Sequence, residues 1–444
     1  MRLGGRIAAA IDILDLIERQ NRPVKLAVRE WGSAHRFAGS GDRAFISGLV
    51  MDALRRKQSL AWAMGDDSAR ALALGVVGRI WGMEAGALQD QLAADPHSPD
   101  ALTDAEIAAF SRDISDAPAH VRGDYPEWLA ASLARVFGQT AAEEGAGMAD
   151  RAPVDLRVNE LKTDPVKALA AVQAKIPTAR AGALARACIR IPQDEATGKS
   201  PPADAIPAYG KGWVEVQDEG SQLAGLAAGV KPGDQVLDFC AGAGGKTLEL
   251  SAMTGNTGQI HAWDHDWRRM KAIWPRLQRA GVRNVQVHDG PEDELSGLEG
   301  KMDVVFVDAP CTGTGTWRRR PDAKWRVSEC ALNQRLEEQD EALDNAAKYV
   351  RPGGRLIYVT CSILPEENGD RIEAFLTRYS NFTQRNSRDA LIASGGLAEG
   401  AADVLAACEM DSGALQLTPH RSATDGFFIA VMERVDFRKQ EMEK

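Results

Sequence analysis

From residue 215 to residue 436, short apolar runs alternate with longer amphipathic stretches, and few architectures accept that order. The runs QVLDF (235–239), QIHAW (259–263), VQV (285–287), DVVFV (303–307) and RLIYV (355–359) read as strands. TLELSAM, DWRRMKAIWPRLQRA and ECALNQRLEEQDEALDNAAKYV read as the helices between them. Strands and helices in this succession predict a mostly parallel sheet covered on both faces. ALQLTP and GFFIAVME, near the end, predict a closing pair of strands.

Residues 1–140 follow another pattern. IAAAIDILDLIERQ and RAFISGLVMDALRRKQSLAWAM repeat apolar residues at helical spacing, with a turn at Ser40-Gly41-Asp42 between them. They predict an all-helical domain. EEGAGMADRAPVD (143–155) is small, polar and contains Gly and Pro, which predicts a linker, drawn at 141–152. VDLRVN, ACIRI and GWVEVQ then surround PVKALAAVQAK and TARAGALARA, predicting a small α+β unit over 153–214 with IPQDEATGKSPPADAIP as an exposed loop. The last part runs over 215–436, and 437–444 form a tail.

Composition narrows the class. With 444 residues, 44% of them hydrophobic, the chain can bury a sizeable core without disulfides. The cysteines at 188, 240, 311, 330, 361 and 408 form no CxxC pair, which points to reduced thiols in a cytoplasmic enzyme. MRLGGRIAAAIDILDLIERQ carries acids within its apolar part, so it reads as an amphipathic helix and not a signal peptide. No run is long enough to span a bilayer, so no membrane association is expected. The net charge of -10 gives no support to a nucleic-acid partner, although residues 1–60 hold 11 Lys and Arg against 6 Asp and Glu.

The first strand of the alternating region runs into VLDFCAGAGGKTLEL (236–250). A P-loop would need glycine at 240, where Cys240 stands, and the dinucleotide pattern GxGxxG fails at Thr247. What remains is Asp238, a glycine loop, then Asp264 after the second strand, Asp289 after the third and Asp308 after the fourth. A carboxylate at 264 can accept both hydrogen bonds of a ribose diol, and Asp289 is placed for an adenine amino group. Acids at successive strand ends suit a cofactor with ribose, adenine and a cationic head but no phosphate. S-adenosylmethionine meets that description. His261 and His265 flank Asp264, but on a strand-to-loop stretch their spacing does not put them on one helical face, and no metal is expected.

Cys311, in FVDAPCTGTGTWRRRPDAKWR, and Cys361, in YVTCSILPEEN, both lie just past strands expected to be neighbours. Two thiols converging beside a methyl sulfonium suit one chemistry. Pyrimidine C5 is a weak nucleophile until a thiolate adds at C6; C5 then takes the methyl, a base removes its proton, and the thiolate leaves. Asp308 is the candidate to stabilise charge at N3, or to sit at the methionine end of the cofactor. The target base must be turned out of its stack or already single-stranded. Arg318, Arg319, Arg320 and Lys324, interleaved with Trp317 and Trp325, are the candidate RNA contacts.

DAPCTGTGTWRRRPDAKW, TCSILPEENG and LTPHRSATDGFFIAVM together make residues 215–435 resemble the RsmB/NOP/Sun group of RNA cytosine-C5 methyltransferases. The glycine loop CAGAGGKT departs from the group's usual CAAPGGKT at Gly242 and Ala243. The resemblance implies a Rossmann-like α/β class I methyltransferase domain with a mostly parallel seven-stranded sheet. It also implies that Cys361 is the nucleophile and that Cys311 helps release product. By the same carry-over Cys240, Ala241, Gly242, Ala243, Gly244, Gly245, Lys246, Asp264, Asp289 and Asp308 form the cofactor site. RIAAAIDILDLIERQNRPVKLAVREW with GDRAFISGLVMDALRRK resembles the NusB-like helical domain of bacterial RsmB-type enzymes, an RNA- or protein-binding domain. The expectation is a monomeric, S-adenosylmethionine-dependent enzyme forming 5-methylcytosine in 16S ribosomal RNA. Two alternatives stand beside it: a DNA cytosine-C5 methyltransferase, which would use Cys311 as nucleophile, and an RNA-binding or transcription-factor-like module without activity.

Overall fold

The computed structural model describes residues 1–193 and 206–436. Most of the expected exposed loop at 191–207, and the expected tail 437–444, lie outside these residues. The chain divides into two units: Met1–Arg151 with Trp317–Val327, and Ala152–Thr316 with Ser328 onward.

The first unit is helical throughout its described residues. Helix Leu3–Gln20 buries Ile7, Ala10, Ile13 and Leu14 along one stripe, in a core shared with Ile46, Leu49, Val50 and Ala53 of helix Ser40–Arg55. The second helix starts at the expected Ser-Gly-Asp turn, where the Asp42 carboxylate accepts the Gly39 N–H at 3.2 Å. Most of the expected linker is not one. Helix Ala141–Ala149 occupies its first nine residues and buries Ala142, Gly145 and Met148. Its small residues serve close packing: a Cβ on Gly145 would lie 2.5 Å from the Gly123 carbonyl oxygen. No helix among the described residues is long and apolar enough to cross a membrane.

The second unit holds two sheets. The smaller is antiparallel, with strands β1 (Val154–Val158), β2 (Arg180–Ala181), β3 (Cys188–Ile191) and β4 (Val214–Val216) in the order β2-β3-β1-β4.

The larger sheet contains β5 (Gln235–Asp238), β6 (Gln259–Trp263), β7 (Val285–His288), β8 (Met302–Asp308), β9 (Val350–Thr360), β10 (Phe382–Arg385), β11 (Leu415–Leu417) and β12 (Phe427–Arg434). Its path is β10-β12-β9-β8-β5-β6-β7, with β11 paired to β12 off the path. Seven strands lie on that path, the expected number, but β10 stands where no strand was expected, and the expected strand ALQLTP is β11, an eighth strand off the path. The five strands from β9 to the β7 edge run parallel. β12 is antiparallel to β9, β10 and β11, which makes the sheet mixed.

β5, β6, β8 and β9 are apolar and buried on both faces, as parallel strands under two helix layers must be. Strand order reverses at β5 and β8, so the first turns after these two strands diverge and leave a crevice at their carboxyl ends.

Candidate active site

The crevice is built from the glycine loop upward. Between β5 and helix Gly245–Met253 the backbone takes a left-handed turn at Gly242 (φ 51°) and again at Gly244 (φ 82°). A Cβ at Gly244 would meet Ile273 Cγ1 at 2.4 Å, so only glycine fits. The Gly242 N–H donates to Asp264 Oδ2 at 2.8 Å, and Ala241 N–H to the Trp263 carbonyl at 2.9 Å, which fasten the loop to the end of β6. Arg276 reaches the Ala243 carbonyl at 2.6 Å, and Arg157 the Gly245 carbonyl at 3.0 Å. Cys240 is partly buried, and that burial, with Asp264 beside it, pushes its thiol well up.

The acids differ in setting. Asp264 is buried; its Oδ1 accepts the Asp266 N–H at 2.9 Å, and Arg269 lies 3.3 Å from Oδ2. Asp238 is wholly buried. Its Oδ2 accepts the Thr247 hydroxyl at 2.6 Å, while its Oδ1 has no hydrogen-bond partner among the described residues. Burial raises the Asp238 carboxyl to about 7. Asp289, just past β7, is exposed. Asp308, at the end of β8, keeps a third of its side chain exposed and lies 3.4 Å from Lys246 Nζ. The Lys246 ammonium also donates to the Ser221 hydroxyl and faces the rings of Phe306 and Phe427 at 5.9 and 5.5 Å.

Cys311 and Cys361 come together: their sulfurs are 3.4 Å apart, past the ends of the adjacent strands β8 and β9. The hydrogen bond to Cys361, with burial, pushes the Cys311 thiol well up, so Cys311 keeps its proton at neutral pH.

The turn bearing each cysteine is held by one residue to which the sequence alone assigned no role. Glu367 is completely buried. It accepts the Thr312 N–H at 2.7 Å, the Thr312 hydroxyl, the Ser362 hydroxyl and Gln339 Nε2 at 3.1 Å. Thr312 follows Cys311 and Ser362 follows Cys361. The signal was present, as a hydroxyl residue beside each cysteine and an acid in PEEN.

The proposed RNA contacts do not share one setting. Arg320 is exposed and Arg319 partly buried, but Arg318 is only 4% exposed and Lys324 not exposed at all. Lys324 and Arg318 are therefore withdrawn as phosphate contacts. Pro321 starts a short helix, Pro321–Arg326, that turns Lys324 and Trp325 inward. The Lys324 ammonium donates to the Arg55 carbonyl at 2.8 Å, and the Trp325 indole N–H to the Leu54 carbonyl at 2.6 Å. Both side chains satisfy carbonyls at the C-terminus of helix Ser40–Arg55, where a cation is favoured.

The two histidines flanking Asp264 part company. His261 Nδ1 lies 2.9 Å from His288 Nε2 within the sheet, and burial lowers His261 to about 4, while His265 is exposed. Asp155, Cys188 and Glu219 place possible ligand atoms close together. The Arg190 guanidinium bonds Asp155 at 2.8 Å and pairs with Glu219 at 3.2 Å, so a cation already stands against both carboxylates and offsets one of their two charges.

With this geometry in view, the comparisons are specific. The profile of the family described as 16S rRNA methyltransferase RsmB/F matches residues 226–433. A profile for the RsmF/B-like ferredoxin-like domain matches residues 125–196. The probable ribosomal RNA small subunit methyltransferase B of Synechocystis sp. is 29% identical over 316 residues, 70% of this chain and 67% of that protein. Ribosomal RNA small subunit methyltransferase B of Enterobacter sp. is 39% identical over 188 residues, 42% of this chain but only 44% of that protein. The match with the second relative thus spans less than half of its length. A methyltransferase homolog from Pyrococcus horikoshii has a crystal structure that is 25% identical, covers 71% of this chain and 98% of its own, and superposes with a TM-score of 0.57.

Proposed function

The chain belongs to the RsmB/F methyltransferase family, and from that premise we propose that it methylates C5 of a cytosine in small-subunit ribosomal RNA, through a bond between Cys361 Sγ and C6. The observation that carries this reading is the pair of sulfurs 3.4 Å apart, past the ends of neighbouring strands whose sheet also ends in a glycine loop and buried acids.

S-adenosylmethionine suits the residues present. Asp238 Oδ1 is buried without a hydrogen-bond partner among the described residues, and the surrounding carboxylates match a cationic, diol-bearing molecule. Asp264 would hold the ribose hydroxyls, Asp289 the adenine amino group, and Asp308 with Lys246 the methionine end. The cofactor supplies an electrophilic methyl group on a sulfonium.

The chain's own residues do the rest. The Cys361 thiolate forms the S–C6 bond, and the C5–C6 π pair becomes available at C5. A carboxyl at Asp308 steadies the charge that spreads to N3. Cys311 holds a proton against Cys361 and stabilises the thiolate both before addition and on departure. After methyl transfer the C5–H pair re-forms the double bond as the proton goes to a base, and the S–C6 bond breaks to return the thiolate. The helical first unit, by its likeness in sequence to NusB, would bind RNA or a protein partner.

The test is methyl transfer from labelled S-adenosylmethionine to small-subunit ribosomal RNA, with bisulfite sequencing to find the base. Wild type is expected to leave one protected cytosine and Cys361→Ala none. Undiminished transfer by Cys361→Ala would overturn the assignment.

A further inference from the structure

The helical stretch after Asp264 carries a feature that the catalytic site does not use. Helix Trp267–Met270 and helix Ile273–Ala280 are joined by Lys271 and Ala272, whose backbones stay right-handed (φ -54°, ψ -29° and φ -78°, ψ -9°), so side chains keep near-helical phase across the join. One face is core: Met270, Ile273, Leu277 and Ala280 are buried. A second flank is spoken for, since Arg269 pairs with Asp264, Arg276 with the Ala243 carbonyl and Arg279 with Glu215. The remaining flank presents Trp267, Lys271 and Trp274, at i, i+4 and i+7. Trp267 is 45% exposed and Trp274 55% exposed, and the Lys271 ammonium lies 5.0 Å from the centre of the Trp267 ring. Arg268 is exposed beside them.

Two half-exposed indoles on one stripe are costly in water and call for an occupant. Charge decides which. The chain is acidic overall, at -10, yet residues 266–284 contain six Lys and Arg and one Asp. Cations between flat aromatic faces match phosphates between unpaired bases. Two indoles seven residues apart on a helix stand about 10 Å apart along its axis, which leaves room for a base on each and a phosphate at Lys271.

We propose that Trp267, Lys271 and Trp274, with Arg268, form a stacking platform for single-stranded RNA flanking the target base. The inference rests on the RNA reading above and adds to it a surface and a mode of contact. The platform starts three residues past Asp264, so RNA lying on it is held beside the carboxyl edge of the sheet.

The experiment measures binding of a fluorescein-labelled, mixed-sequence, single-stranded RNA to the full chain, with S-adenosylmethionine affinity by calorimetry as the check on folding. The double variant W267A/W274A is expected to bind RNA about tenfold or more weakly, with cofactor affinity within about twofold of wild type. Trp267→Phe, which keeps a stacking face, should recover more of the binding than Trp267→Leu. Lys271→Gln should lower the slope of log Kd against log salt by about 0.7, as loss of one phosphate contact to a single strand requires. RNA affinity unchanged in W267A/W274A overturns the platform and leaves the stripe to a protein partner. Binding is read whether or not methyl is transferred. A wild type that binds RNA through these tryptophans but never methylates it would sink the functional reading and spare this one.

Discussion

The Glu367 carboxylate accepts the Thr312 N–H at 2.7 Å and so ties the turn after Cys311 to the turn after Cys361. A buried carboxylate surrounded by four uncharged donors is held by hydrogen bonds alone. Glu367→Gln replaces one acceptor oxygen with an NH₂ group facing donors. It is expected to cost about 1–3 kcal/mol of stability. It should also lower the rate of the chemical step about tenfold or more as the two sulfurs lose register. Cofactor affinity should hold, because Glu367 makes no hydrogen bond to the glycine loop. Single-turnover methylation beside calorimetry separates the two. A Gln variant with wild-type turnover would show that the sulfurs need no brace.

How much of this was legible beforehand depends on what each residue answers to. The parallel strands were readable because a strand buried on both faces has to be apolar throughout, as DVVFV and RLIYV are. β10, FTQR, was not, because an edge strand with only Phe382 buried carries no such pattern. The stretch 141–149 was misread because glycine and alanine signal slack in a sequence but close contact in a packed helix. Lys324 was misread because the sequence shows a cation among aromatics and does not show the helix end whose carbonyls it satisfies. The convergence of Cys311 and Cys361 followed from strand order alone, whereas the Glu367 brace, whose acid and hydroxyl partners stand in the sequence, needs the two turn conformations that bring them together.

Cys311→Ala should trap the enzyme on its substrate. The Cys311 proton is held up by burial and by Cys361, and without it the departing thiolate at C6 loses its stabilising donor. A covalent protein–RNA adduct is expected to accumulate on a denaturing gel, and C361A/C311A should form none. An adduct that requires Cys311 and forms without Cys361 would reverse the two roles.

Gly244→Ala tests the glycine loop without touching charge. Its left-handed backbone costs an L-residue about 1–2 kcal/mol, and the new methyl would press on Ile273. The loop must shift, and with it the Gly242 N–H that orients Asp264. Cofactor affinity should fall about tenfold while RNA affinity is kept. Equal cofactor affinity in variant and wild type would mean the loop does not shape that site.

The His261–His288 pair predicts an acid-sensitive sheet. Burial lowers His261 from its ordinary value to about 4 and lowers His288 as well, with Glu294 partly opposing the shift at His288. Both rings are then neutral in the folded chain, while the unfolded chain takes up protons below about 6.5. Stability from this source is full above that pH and is lost as pH falls from about 6.5 toward 4. Asp238, raised to about 7, works in the opposite direction over the same window, so the wild-type profile alone cannot assign the effect. The difference between wild type and His261→Phe can, because Asp238 is common to both. The proton uptake on unfolding, read from Tm against pH, should be smaller in the variant by up to about one proton near pH 5, even if its Tm at neutral pH is lower. Parallel curves for the two proteins would mean that His261 does not carry the acid lability.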